Sequence, residues 1–457
     1  MDAAEQSVAG VIPAERPRFV TGPLLTHILI MTGTGAAGLI AIFIGDLANI
    51  LFLSWLGDQS IVAAVGYASS ILFFTTSIGI GLSIAATSLV SPAIGASERG
   101  RARRLASSAL MLTLVSSIVL TAVVWVAVSP LLGLLGAEGR THTLARDYLW
   151  ILVPFLPPLA VAMTATGILR SVGDPRRAMH ITLIGAFVNI ALDPFFIFTL
   201  DLGIHGAAIA SGLARLAMVG YAIYAVVNVH DMAARPSRAA IEEDWPPLLG
   251  VAVPAVLTNV ATPVANAYVT AAIAAHGDSA VAAWAIIGRI MPVAFGAIYA
   301  LSGSIGPIIG QNYGAGDMAR MRRAFTLSLA VNGAFTLAAW IALWLGTGTI
   351  IDFFNATGST ADLIGLFNTW LSPLFVFLGA LFVANAAFNT LGHAQLSTWL
   401  NWGRATVGTI PFVEYGSRLG GAEGVLAGNM IGGIAFGALA VWLCYRLMDR
   451  LQAKATP

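Results

Sequence analysis

Long apolar runs dominate the chain. Twelve follow one another, at about 25–56, 61–91, 105–129, 144–169, 178–200, 204–228, 247–275, 280–309, 324–346, 364–391, 395–415 and 421–447. Each reaches the roughly 20 residues that a helix needs to cross the hydrocarbon core of a bilayer. The runs are continuous and do not alternate, which argues against the strands of a membrane barrel. Of the 457 residues 58% are hydrophobic and 10% charged, against about a quarter charged in a soluble protein. Too few polar side chains remain to build a water-facing shell. The expected fold is all-α and integral to the membrane, with twelve transmembrane helices.

The connections between the runs carry a sign. Starting from the N-terminal tail, every second one is basic: Arg16 and Arg18; Arg99, Arg101, Arg103 and Arg104; Arg170, Arg176 and Arg177; Arg235 and Arg238; Arg320, Arg322 and Arg323; and Arg446, Arg450 and Lys454 at the end. The intervening loops hold only Arg140, Arg146 and Arg418. Cytoplasmic loops carry such an excess, so both termini are expected in the cytoplasm. A missed helix would scramble the alternation, which supports the even count. The net charge of +1 offers nothing to a nucleic acid. The one cysteine, Cys444, excludes an intrachain disulfide and reads as a small buried apolar residue. The first twenty residues lack the apolar core of a signal peptide and read as a soluble tail.

The chain also repeats itself. "VAA" at Val62–Ala64 recurs at Val281–Ala283, Pro154 recurs as Pro373, Gly173 as Gly392 and Arg104 as Arg323, each 219 residues on. Two six-helix lobes of the same orientation follow, related by a pseudo-twofold axis along the membrane normal. The expected organisation is a cytoplasmic tail over 1–24, an N-lobe over 25–229, a cytoplasmic linker over 230–246, a C-lobe over 247–447 and a cytoplasmic tail over 448–457.

Four stretches resemble one family. "IGQNYGAGDMARMRR" (Ile309–Arg323), "LSWLGDQSIVAAVG" (Leu53–Gly66), "GILRSVGDPRRAM" (Gly167–Met179) and "LDPFFIF" with "LGIHGAAIAS" (Leu192–Ser211) resemble, in order, connections of the multidrug and toxic compound extrusion exporters. The resemblance implies a V-shaped pair of lobes, alternating access, and export of amphipathic, often cationic, organic molecules driven by H⁺ or Na⁺. It implies a bacterial cytoplasmic (inner) membrane, a functional monomer, and small-molecule substrates and lipid as the partners. No cofactor is expected beyond the coupling ion.

Two pairs of polar residues interrupt the apolar runs. Asn189 and Asp193 stand at i and i+4 in "VNIALDPFFIF", on one helix face. A carboxylate at bilayer depth costs at least ~2.5–3.5 kcal/mol and marks a functional site by default. Pro194 has no N–H, which frees the carbonyl of Ile190. Carboxylate, amide and carbonyl together can hold Na⁺ or cluster around a carboxyl proton. Asp46 and Asn49 form a similar pair at i and i+3 in helix 1. The family often carries an acid where this chain has Asn49, so either Asp46 or Asn49 serves the helix-1 role. The resemblance adds Ser211 in helix 6. Any Na⁺ is expected at Asp193, Asn189 and Asp46. The second lobe lacks this chemistry: helices 7 and 11 carry no acid opposite Asp46 or Asp193. The bland alternative pairs Asp193 with Asn189, or with Arg215, as interhelical glue. Candidates for a substrate cavity are Arg289, Trp284, Phe43 and Tyr299, with Arg215 and Arg404 as further intramembrane charges.

Rival readings are fewer. A lipid-linked precursor flippase of the same superfamily would carry more helices or a strongly cationic cavity. The loop "GASERGRARR" (Gly95–Arg104) resembles the major-facilitator loop only superficially, since its glycine spacing is wrong. A membrane-embedded enzyme needs clustered histidines or a nucleophile beside a base. The seven histidines are scattered, mostly at helix ends.

Overall fold

The computed structural model describes residues 17–235 and 237–455. Among them the regular structure is entirely helical. Twelve helices cross the length of the molecule: α1 Leu24–Ser54, α2 Gln59–Gly95, α3 Arg99–Leu134, α4 Gly139–Ser171, α5 Pro175–Thr199, α6 Gly203–Val229, α7 Arg238–Ala274, α8 Asp278–Gly314, α9 Met318–Phe353 and α10 Ser359–Thr390, then α11 over 394–419 and α12 over 422–455. The last two form a hairpin. The non-helical pair Gly420–Gly421 separates them, and Gly421 takes φ +57°, a conformation open mainly to glycine. Their glycines let the two backbones touch. A Cβ on Gly416 would stand 2.7 Å from the carbonyl carbon of Gly424. Spacing small residues four apart produces this close packing in membranes.

The turns have local causes. Asp58, Asp174 and Asp317 each cap the following helix by accepting a backbone N–H, from Ser60, Arg177 and Arg320, which satisfies donors that a helix start leaves open. The repeated prolines produce repeated breaks. Pro154 lies in a 3₁₀ turn inside α4, and Pro373 in a 3₁₀ turn inside α10. One difference between the halves lies in α2 and its repeat α8. α2 runs unbroken, whereas α8 bends by 49° between Ala294 and Gly296, just after Pro292.

Helices reach into the expected cytoplasmic linker and C-terminal tail. Of the stretch 230–246, helix α7 claims everything from Arg238. Ser237 caps it through the N–H of Ala240. The extension docks on α3: Arg104 grips Glu243 with two bonds of 2.6 and 2.8 Å, and Ser108 donates to Asp244 at 2.7 Å. A run rich in Ala and Glu behind a Ser cap is a good helix, and its polarity is what disguised it. α12 likewise continues to Ala455. The expected tail over 1–24 falls largely on residues 1–16, outside the described residues.

The arginine-rich loops and the two described chain ends share one face, called here the basic face. The lobes meet on that side. Ser91, Pro92 and Gly95 at the end of α2 press on Gly310, Gly314 and Gln311 at the end of α8, and a Cβ on Gly95 would stand 2.6 Å from the Cα of Gln311. Gly35 of α1 faces Ala300 of α8, and Gly81 of α2 faces Val256 of α7. All these contacts lie in the basic half, so the two lobes are closed against each other there.

Candidate functional site

Three helices of the N-lobe bring its polar residues together. Glycines let α1 and α5 approach: a Cβ on Gly38 would stand 2.5 Å from Thr182 Oγ1, and Gly45 rests on Ala186. One turn further, Asn49 reaches Asp193. The amide of Asn49 donates to Asp193 Oδ2 at 2.9 Å, and that of Asn189 donates to Oδ1 at 3.2 Å. Asn189 also donates to Ser211 Oγ of α6 at 3.3 Å. Asp193 is fully buried in this cage, and α5 passes into a π-helical turn at Phe195–Thr199 just after Pro194.

Of the bland alternative, the bond from Asn189 to Asp193 is present and the ion pair with Arg215 is not. No cationic side chain among the described residues stands within ion-pair distance of Asp193. Arg215 donates instead to the carbonyl of Leu152 at 3.4 Å. Tyr148 of α4, which the sequence reading passed over, is buried against Ser211 within electrostatic reach of Asp193, Asp46 and Arg215. Nothing in its spacing announces it, because α4 reaches the site only through tertiary packing.

The structure separates the helix-1 pair. Asn49 is buried and bonded to Asp193, whereas Asp46 is exposed. Asp46 lies eleven residues after Gly35, about 20° around the helix from it. It therefore looks along the face that meets the other lobe, not into the cage. The grouping of Asp46 with Asp193 and Asn189 around one Na⁺ does not describe this arrangement: i and i+3 share a side of the helix but still differ by about 60°.

The expected cavity residues part company. Tyr299 packs against Phe375 and Phe382, with ring centroids 5.9 and 5.5 Å away. Trp284 donates through its indole N–H to Thr270 Oγ1 at 2.9 Å. Arg289 and Phe43 are exposed on α8 and α1.

A second constellation lies where the lobes meet at the basic face. Gln311 is fully buried. Its Oε1 accepts the N–H of Phe19 at 2.8 Å, and its Nε2 donates to the carbonyl of Ser171 at the end of α4, at 2.7 Å. Asn312 donates to the carbonyl of Phe19 at 3.2 Å. Arg320 reaches the carbonyls of Phe19, Thr21 and Gly22, and Arg18 the carbonyl of Gly173 at 2.7 Å. The segment before α1 is thus a latch between the lobes. Beside it, His230 and Arg177 both bond Asp174 Oδ2, at 2.9 and 2.5 Å. Burial alone would raise the Asp174 carboxyl, but these bonds outweigh it and hold it well below the usual carboxylate range.

The MatE family model matches the chain twice, over residues 36–195 and 254–413. The chain belongs to the MatE family. The two matches correspond to the two lobes, and they carry the repeat seen in the prolines. Among relatives of this MatE transporter, an FAD transporter of Shewanella oneidensis is 28% identical over 96% of this chain and 98% of its own length. The multidrug export protein MepA of Staphylococcus aureus is 22% identical over 89% of this chain and 90% of its own. Among solved structures, a mutant of the Vibrio cholerae MATE transporter VcmN superposes with a TM-score of 0.87 at 25% identity, covering 94% of this chain and 97% of that one. An outward-facing MATE structure shares the fold with a TM-score of 0.88 at 22% identity, over 96% and 99%. The molecule is a multi-pass membrane transporter.

Proposed function

We propose that this MatE transporter exports amphipathic organic molecules across the cytoplasmic membrane by alternating access, driven by protons that enter through Asp193. The observation that carries the reading is a fully buried carboxylate held only by amide donors and without a cationic partner. As an anion it suits a state in which water reaches the cage. Enclosing it in apolar surroundings costs free energy, and a proton or Na⁺ removes that cost. Loading the site therefore permits repacking of α1, α5 and α6 that the charged form resists, and the π turn after Pro194 offers a place for the adjustment.

The donor set supports a proton over Na⁺. Asn49 and Asn189 both turn their NH₂ groups to the carboxylate, so neither amide presents its oxygen there as a ligand for a metal ion. A proton needs only one carboxyl oxygen. Moving one elementary charge through 100 mV is worth about 2.3 kcal/mol, enough for a roughly 50-fold concentration ratio of an uncharged cargo, since 1.4 kcal/mol is tenfold. The arginine-rich face reads as cytoplasmic. Lobes closed against each other on that face suit release of cargo to the outside. The named relatives move chemically different cargoes, so their names leave the sign of this transporter's substrate open. The chain reads as a functional monomer.

The test uses proteoliposomes with pH and Na⁺ gradients imposed separately. Efflux driven by the pH gradient alone is expected, and Asp193→Asn should abolish it while still reaching the membrane. Efflux that follows only the Na⁺ gradient would replace the proton with Na⁺. Full activity of D193N would remove Asp193 from the mechanism.

A further inference from the structure

The two lobes match in helix count but differ in intramembrane charge. In the N-lobe, Arg215 shares its bundle with two acids and lies within electrostatic reach of Asp46. In the C-lobe, Arg404 has no such company. The acids of that lobe all lie in loops or within two turns of a helix end, and Glu414, the next along α11, accepts the Tyr268 hydroxyl at 2.7 Å.

Arg404 sits midway along α11 and is 8% exposed. One terminal nitrogen donates to Thr262 Oγ1 of α7 at a long 3.4 Å, and its Nε has no partner. A guanidinium offers five N–H donors, so most of its capacity is unspent. α11 breaks immediately after it, over 406–409, where Thr409 caps the Arg404 carbonyl at 2.9 Å. The broken helix end compensates the charge only in part, since a helix C-terminus carries about half a negative charge.

The surroundings of Arg404 are those of a ligand site. α8 also breaks near mid-length, at Phe295, and Tyr299 just beyond the break lies within electrostatic reach of Arg404. On α7, Asn259, Thr262 and Asn266 fall at i, i+3 and i+7, on one face. An under-partnered cation bonded to Thr262 of a polar α7 face thus lies at mid-depth beside two discontinuous helices, where transporters place their substrates.

We propose that Arg404 is the counter-charge for an organic anion, bound in the C-lobe through a phosphate or carboxylate at Arg404, with its planar part against Tyr299 and the Thr262 row. The proposal rests on the exporter reading above and adds to it the sign of the cargo. Coupling ion and cargo then occupy different lobes: the ion at a carboxylate, the cargo at a guanidinium.

Equilibrium binding to the purified full chain in lipid nanodiscs tests this without any gradient. FAD and riboflavin share the isoalloxazine ring, and only FAD carries phosphates; ethidium supplies a planar cation. Expected is FAD binding at least tenfold tighter than riboflavin and tighter than ethidium. Arg404→Gln should remove that margin, and Arg404→Lys should retain part of it. Equal wild-type affinity for FAD and riboflavin would overturn the proposal, and the wild type alone gives that result even if the variants fold poorly. Unchanged FAD affinity in a folded R404Q would overturn it as well. A protein that binds FAD through Arg404 but fails to transport would count against the exporter reading alone. One that exports under a gradient yet ignores Arg404 would count against the present proposal alone.

Discussion

Replacing Gln311 by leucine should open the basic face. Leucine keeps most of the volume of glutamine but can serve neither Phe19 N–H nor the Ser171 carbonyl, which Gln311 bonds at 2.8 and 2.7 Å. Removing one partner of a buried hydrogen bond leaves the other unsatisfied, which costs roughly 1–3 kcal/mol for each such group. Gln311 is fully buried, so water cannot fully replace it while the lobes remain closed. When the lobes part on this side, water satisfies both groups, so the penalty falls on the closed form alone. Over the two groups a shift of about 2–6 kcal/mol follows, some 30- to 20,000-fold in the ratio of the two forms at about 1.4 kcal/mol per tenfold. Spin labels at Ala96→Cys and Ala315→Cys, exposed beyond the ends of α2 and α8, report the separation. The native Cys444 is buried and leaves the labelling clean. The expected result is a distance distribution shifted to longer values in Q311L. A distribution superimposable on that of the parent, with folded protein, would refute the latch.

Other expectations follow from the same geometry. Asn49→Leu removes the shorter of the two bonds to Asp193 and should slow proton-driven efflux at least tenfold, while Asp46→Asn, on the outward face of α1, should be milder; transport by both in proteoliposomes compares them. Gly416→Ala sets a Cβ 2.7 Å from the Gly424 carbonyl carbon and should cost about 1–3 kcal/mol through overpacking, read as a lowered melting temperature. Asp174→Asn should destabilise at neutral pH. The carboxyl is held low in the folded state, so its contribution is present above the unfolded value of about 3.9 and is lost as pH falls through the lower folded value. The melting-temperature gap between parent and D174N should therefore narrow below about pH 4.

Periodic features were readable before the coordinates. Twelve runs, alternating arginines and prolines 219 apart are properties of the chain itself, and they returned as twelve helices, one basic face and two matching 3₁₀ breaks. Asp193 was readable for a similar reason, because a carboxylate among hydrocarbon side chains needs a cause wherever it points. The choice between Asp46 and Asn49 was not readable. Their spacing sets the two only about 60° apart on α1, and the approach to α5 through Gly38 and Gly45 decides that Asn49 enters the cage. Tyr148 and Gln311 escaped because their roles depend on partners far away in the chain. Gln311 touches Phe19, 292 positions earlier, and Ser171, 140 earlier. The bend in α8 escaped because α2, its repeat, stays straight although it too contains a proline, Pro92.

The segment from Arg18 to Gly22 leaves the ribosome before α1, yet its partners Gln311, Asn312 and Arg320 are synthesised some 290 residues later. The joint can therefore close only after the whole N-lobe and the first two helices of the C-lobe have been made, which places it past the midpoint of synthesis. Anything fused upstream of residue 17 hangs from that joint, so purification handles belong at the other end of the chain.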